Sequence, residues 1–171
     1  MAYADQFYKD ANGGLHWLSA LDQETAARMG LALPDPAWTV LGQAEAQAIL
    51  NPPLTLAQAQ AAQMAVLTAA CDAAITGGFS ASALGGAYSY PAAATDQANM
   101  VQTAAAAGGG LLMCESAANV WALAAHSQAQ AAAVLAAFIA WRDKQRQQLA
   151  TLTAQVAAAT TVAAVQAVVW P

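Results

Sequence analysis

Charge is scarce in this chain. Only 9% of its 171 residues are charged, with five Lys+Arg against ten Asp+Glu. A net charge of −5 argues against nucleic acid, whose phosphates need a basic face, and equally against an anionic membrane surface. Cysteine is scarce too. Cys71 and Cys114 are the two present; they lie far apart, fit no metal spacing and read as small buried thiols. The two histidines, His16 and His126, have no carboxylate or cysteine at a ligand-pair spacing and read as surface or capping residues. Long apolar runs are missing. The longest, AAAVLAAFIAW from Ala131 to Trp141, has eleven residues, too short to cross a bilayer. The opening MAYADQFYKD has an early acid, no basic region and no apolar core, unlike a signal peptide.

No catalytic constellation is visible. There is no Gly-x-Ser-x-Gly motif, and Asp72, Asp96 and Glu115 form no recognisable acid pair for a hydrolase. Gly108-Gly109-Gly110 lacks the lysine and hydroxyl of a phosphate loop and reads as a helix stop. Arg142 to Arg146 contains its own acid, Asp143, and reads as a solvated helix face. No catalytic residue, cofactor or metal is expected.

What the chain does have is alanine-rich apolar residues, 58% of the total, with bulky side chains at helical spacing. With so little charge, solubility must come from Gln, Ser, Thr and Asn, or part of the surface is covered by partners. The expected fold is α+β, mainly α, with well over half the ordered residues helical. Ala-rich helices would alternate with short β-hairpins, preceded by a small N-terminal hairpin segment.

Asn51-Pro52-Pro53 is the best boundary in the sequence. It separates an N-terminal segment over 1–53 from a helical domain over 54–171. In the first, Asn12-Gly13 predicts a tight hairpin between strands near Gln6–Lys9 and Leu15–Ser19. LPDPAW then reads as an extended linker and TVLGQAEAQAIL as a short helix. In the second, Thr55 caps a helix over Leu56–Thr76. A hairpin turns at Gly85-Gly86, with Phe79 and Leu84 on one arm and Tyr88 and Tyr90 on the other. Thr95 or Asp96 caps a helix running to about Ala107. A second hairpin joins Leu111–Glu115 to Val120–Leu123. Ser127 caps a long helix whose seam is Val134, Phe138, Trp141, Gln145, Leu149, Leu152 and Val156. VAAVQAVV makes a last short helix or strand before Trp170.

Two features stand apart from plain helix. Asp96-Gln97-Ala98-Asn99 places three hydrogen-bonding side chains in four residues, for capping and for tying the helix to the hairpin before it. The seam of the long helix exceeds what one preceding helix can cover. Its C-terminal half, with Trp141, Leu149, Leu152, Val156 and the Trp170 tail, is a candidate partner interface.

The order of these elements resembles an uncharacterised domain of tailed-phage proteins encoded beside tail fibres, called tail-fibre or tail-fibre assembly proteins. The likeness covers Leu56 to Trp170. It rests on Gly78-Phe79, Leu84-Gly85, Tyr88 and Tyr90, Asp96-Gln97 with Asn99, and the closing AAATTVAAVQAVVW. It makes Phe79, Gly85, Tyr88, Asp96, Gln97 and Asn99 fold-signature residues. The resemblance implies a non-enzymatic tail-fibre assembly chaperone or accessory, or alternatively a permanent component of the fibre or baseplate. The implied partners are a tail-fibre or baseplate protein and a second copy of the chain, with neither nucleic acid nor membrane. The implied location is the host cytoplasm during assembly, or the virion tail.

Overall fold

The computed structural model describes residues 4–171; residues 1–3 of the segment expected over 1–53 lie outside the described residues. The fold is α+β with helices predominating, 51% helix against 17% strand. The helical share is about half rather than well over half, since turns and connections take nearly all the residues outside helix and strand. The chain divides after Leu54 into two compact units.

The N-terminal unit is a three-stranded antiparallel sheet with two helices: β1 (Gln6–Lys9), β2 (Leu15–Leu18), α1 (Ala20–Arg28), β3 (Thr39–Leu41) and α2 (Gln43–Leu50). Strand order is β2-β1-β3, with Phe7 opposite both Trp17 and Leu41. The hairpin expected about Asn12-Gly13 forms, with Lys9 opposite Leu15 and residues 10–14 as its loop. Asp10 holds that loop: its Oδ1 accepts from the backbone N–H groups of Asn12 (2.8 Å) and Gly14 (2.7 Å). Two expectations are corrected here. The expected linker is instead a folded turn. The Trp38 N–H donates to the Asp35 carbonyl at 2.9 Å, and the Trp38 indole stacks on the His16 ring, 4.0 Å between centroids. The expected helix over Thr39–Leu50 is a strand followed by a helix, because Gly42 takes an extended conformation (ψ 156°) and starts α2 only after it. Helix α1 adds to the expected elements, and its Ser19 and Asp22 form a capping box.

The C-terminal unit contains α3 (Leu56–Thr76), β4 (Phe79–Ala81), β5 (Tyr88–Tyr90), α4 (Ala94–Ala105), β6 (Gly110–Glu115), β7 (Trp121–His126), α5 (Gln128–Ala158) and α6 (Val162–Gln166). Thr55 and Ser127 cap α3 and α5 as their hydroxyls predict. The two hairpins join into one antiparallel sheet, β4-β5-β6-β7, through the single pair Ser89↔Glu115. Leu84 falls in the turn rather than on an arm. The inner face of the sheet presents Phe79, Tyr90, Leu112 and Cys114 to Val134 and Phe138 of α5, in the larger of two apolar clusters.

The smaller cluster decides the fate of the long-helix seam. Leu67 of α3, Leu152 and Val156 of α5 and Val165 of α6 pack together, each at most 6% exposed. Leu149 and Trp170 pack against both clusters, Trp141 against the larger one. The expectation of an open C-terminal half is therefore corrected at Leu152 and Val156, which are buried, whereas Trp141, Leu149 and Trp170 are half-buried. At 1.5 Å per residue α3 is too short to cover all of α5, but α6 and the tail cover what it leaves. Glutamines on α3 bond the end of α5 and the tail. The Gln60 amide donates to the Val156 (3.1 Å) and Ala159 (3.3 Å) carbonyls, and Gln63 to the Val168 carbonyl (2.6 Å). Trp141 donates its indole N–H to the Ala74 carbonyl at 3.3 Å.

Candidate functional site

Strict alternation along β4–β7 sorts the sheet into two faces. Leu112 and Cys114 point inward and are buried, whereas Leu111 (59% exposed) and Met113 (39%) point outward. Across the ladder Met113 pairs with Leu123 (60% exposed) and Glu115 with Trp121 (49%), so these also lie on the outer face. They stay exposed although α4 runs beside β6. Their only charge is Glu115. The sequence pattern located this hairpin but not its free side, because alanine at 122, 124 and 125 blurs the alternation.

The signature residues fall in different roles around this face. Phe79 is buried and stacks on Tyr90 at 5.6 Å between centroids. Gly85 occupies the hairpin turn with φ 87°, a conformation that glycine adopts without strain. Tyr88 is half-buried against the larger cluster. Neither Thr95 nor Asp96 is the cap of α4. Ala93 is, and it has no side-chain acceptor. Asp96 sits one turn in and accepts from the Ala93 N–H at 3.1 Å, the reciprocal half of a capping box. Gln97 provides the tether, donating to the Ala92 carbonyl at 2.8 Å. Asn99 is exposed. Asp96 and Asn99 share a groove of about 220 Å³ with Leu111, Met113 and Leu123, where β6 runs beside α4.

Beneath the sheet lies a polar pair that the sequence did not reveal. His126 is not a surface or capping histidine; it is 2% exposed. Its Nδ1 lies 2.9 Å from the Ala124 carbonyl oxygen, which can only accept, so Nδ1 carries the proton. Nε2 then accepts from the Tyr90 hydroxyl at 2.9 Å. Burial pushes the Tyr90 phenol up to about 12, with Cys114 and Tyr88 acting in the same direction. The folded pKa exceeds the ordinary value of 10.0, so Tyr90's contribution is complete below pH 10 and is lost as pH rises to about 12. Two units correspond to about 2–3 kcal/mol. Tyr90→Phe should lose about 1–3 kcal/mol at neutral pH, because Nε2 is left without a donor. The stability curves of the two proteins should then converge between pH 10 and 12, as read by urea denaturation. Parallel curves would show that the phenol is not held neutral by the fold.

Chemistry elsewhere is sparse. Burial pushes both thiols, Cys71 and Cys114, upward, away from the reactive thiolate. In the N-terminal unit His16 Nε2 lies 2.9 Å from Asp10 Oδ2. The hydrogen bonds from His16 and then Gly14 hold the Asp10 carboxyl below its usual range. The pair orients the His16 ring on Trp38. Among the described residues there is no group of three or more His, Cys, Asp or Glu side chains that could hold a metal. Among the described residues no helix is long and apolar enough to cross a membrane. No family model matches the chain, and comparison with curated proteins and with solved structures gives no match.

Proposed function

We propose that the protein is a non-enzymatic bacteriophage tail-fibre-associated protein, an assembly chaperone or accessory that acts by protein–protein binding. The reading rests on the sequence resemblance over Leu56–Trp170 and on one structural observation. That observation is the uncovered apolar side of the β6–β7 hairpin, where Leu111, Met113 and Leu123 stand 39–60% exposed beside the Asp96–Asn99 groove. Exposed apolar side chains are ordinary one at a time, but adjacent ones on a regular surface are a docking feature. The partner contact thus moves from the seam of α5, which the chain closes on itself, to this hairpin. The partner is a tail-fibre or baseplate protein, met in the host cytoplasm during assembly.

The test is co-expression with the tail-fibre protein of the same phage. Leu111→Ser with Leu123→Ser should leave the melting temperature nearly unchanged, since surface substitutions cost within about 0.5 kcal/mol each. Capture of the fibre should fall about ten-fold or more. Undiminished capture by the folded double variant refutes the docking face. Mass spectrometry of purified virions separates a chaperone that leaves from a component that stays: abundant peptides of this chain identify the permanent form.

A further inference from the structure

The outer face carries a second surface, polar rather than apolar, at the turn end of the β6–β7 hairpin, next to the Met113–Leu123 pair. Ser80 pairs with Ser89, Ser89 with Glu115, and Glu115 with Trp121, in one unbroken row across all four strands. Paired residues of antiparallel strands share a face, so two hydroxyls, a carboxylate and an indole stand side by side. Ser80, Ser89 and Trp121 are exposed and Glu115 is half-buried. They border a shallow depression of about 330 Å³ whose wall includes Gly77 and Gly78. No side chain can fill that wall at Gly78, because its φ is 106° and a Cβ there would meet the Tyr90 carbonyl oxygen at 2.7 Å.

We infer that this row is a binding site for a neutral oligosaccharide. A sugar ring offers an apolar C–H face and a rim of hydroxyls. An exposed indole at one end suits the first. A carboxylate and serine hydroxyls in line suit the second, the carboxylate giving the stronger, charge-assisted bonds. Three interstrand steps of ~4.8 Å make the row about 14 Å long, the span of a short oligosaccharide rather than a single ring. Glu115 repels acidic sugars. It is also the only carboxylate in the row, and glycoside hydrolysis uses two, so the site binds without cleaving. The inference goes beyond the tail-fibre reading and shares no residue with the apolar docking patch.

The full-length chain is titrated with maltotriose, cellotriose and chitotriose, with trigalacturonate as the acidic comparison, following backbone amide shifts and tryptophan fluorescence. At least one neutral trisaccharide should bind with millimolar affinity and move the amides of Ser80, Ser89, Glu115 and Trp121. Trp121→Ala should weaken binding about ten-fold or more, the effect of losing one stacking aromatic. Glu115→Gln keeps the shape of the row and should weaken it less. Trp17→Ala, which alters the exposed tryptophan of the other unit, should change nothing. Three outcomes overturn the site: no response to any of the three neutral sugars, equal binding of trigalacturonate, or shifts that persist in Trp121→Ala. Fibre capture by the Trp121→Ala variant is measured alongside. Its retention with sugar binding lost confirms that the two surfaces act independently.

Discussion

Val156→Asp is expected to unfold the C-terminal unit. Val156 is fully buried, between Leu67 of α3 and Val165 of α6, in a cluster without a single cation to pair with a carboxylate. The substitution removes apolar contact and places a charge where water cannot follow; such a group costs several kcal/mol even after it takes up a proton. A domain of this size has about 5–15 kcal/mol in all, and this cluster holds α6 against the α3–α5 pair. Circular dichroism at 222 nm should show the loss of most helix of the unit at 25 °C, or a melting temperature lowered by tens of degrees. A cooperative melt within a few degrees of the parent would mean that the seam is not closed, and would restore Leu149, Leu152 and Val156 as candidates for a partner surface.

Gly109→Ala should be the most damaging change at any glycine, and Gly108→Ala one of the mildest. Gly109 has φ 69°, and a Cβ on it would collide with the backbone at His126, Ser127 and Gln128, where β7 passes into α5. Around Gly108 a Cβ meets nothing within 4 Å. The left-handed backbone costs an alanine about 1–2 kcal/mol, and forcing apart packed backbone costs about 1–3 kcal/mol more. Gly109→Ala is therefore expected to lose about 2–5 kcal/mol in urea denaturation, while Gly108→Ala stays near neutral. Equal effects at the two positions would show that the turn after α4 does not touch the start of α5.

The same glycines show what sequence can and cannot reveal. Three in a row end a helix whatever surrounds them, so the stop after α4 was readable. That the second one carries the close approach to α5 was not, because its neighbours are distant in sequence. Helices α3 and α5 were legible for a local reason. Thr55 and Ser127 cap them, and their large side chains recur every three or four residues. Strand β3 was lost inside a helical pattern because Val40 and Leu41 fit either period, and only the pairing of Leu41 with Phe7 decides. His126 looked like a capping residue because it precedes Ser127. Its burial depends on Tyr90, 36 residues earlier in the chain. The candidate face was half legible: the hairpin's residues could be named, but which side the helices leave bare is fixed by where α5 packs.

The docking surface follows from that bareness. Helix α5, with α3 and α6 against it, buries Val134, Phe138, Leu152 and Val156 of its apolar seam inside the unit, and half-buries Trp141 and Leu149. The β6–β7 hairpin uses only one of its faces, and the other keeps Leu111, Met113 and Leu123 in water. Hydrogen exchange of the full-length chain, alone and with the tail-fibre protein of the same phage, is the most direct measurement of this claim. Protection should appear at residues 110–113 and 123–126, with the amides of Gln128–Ala158 unchanged. An unprotected hairpin in a complex that forms through α5 or the N-terminal sheet, or the absence of any complex, would contradict it.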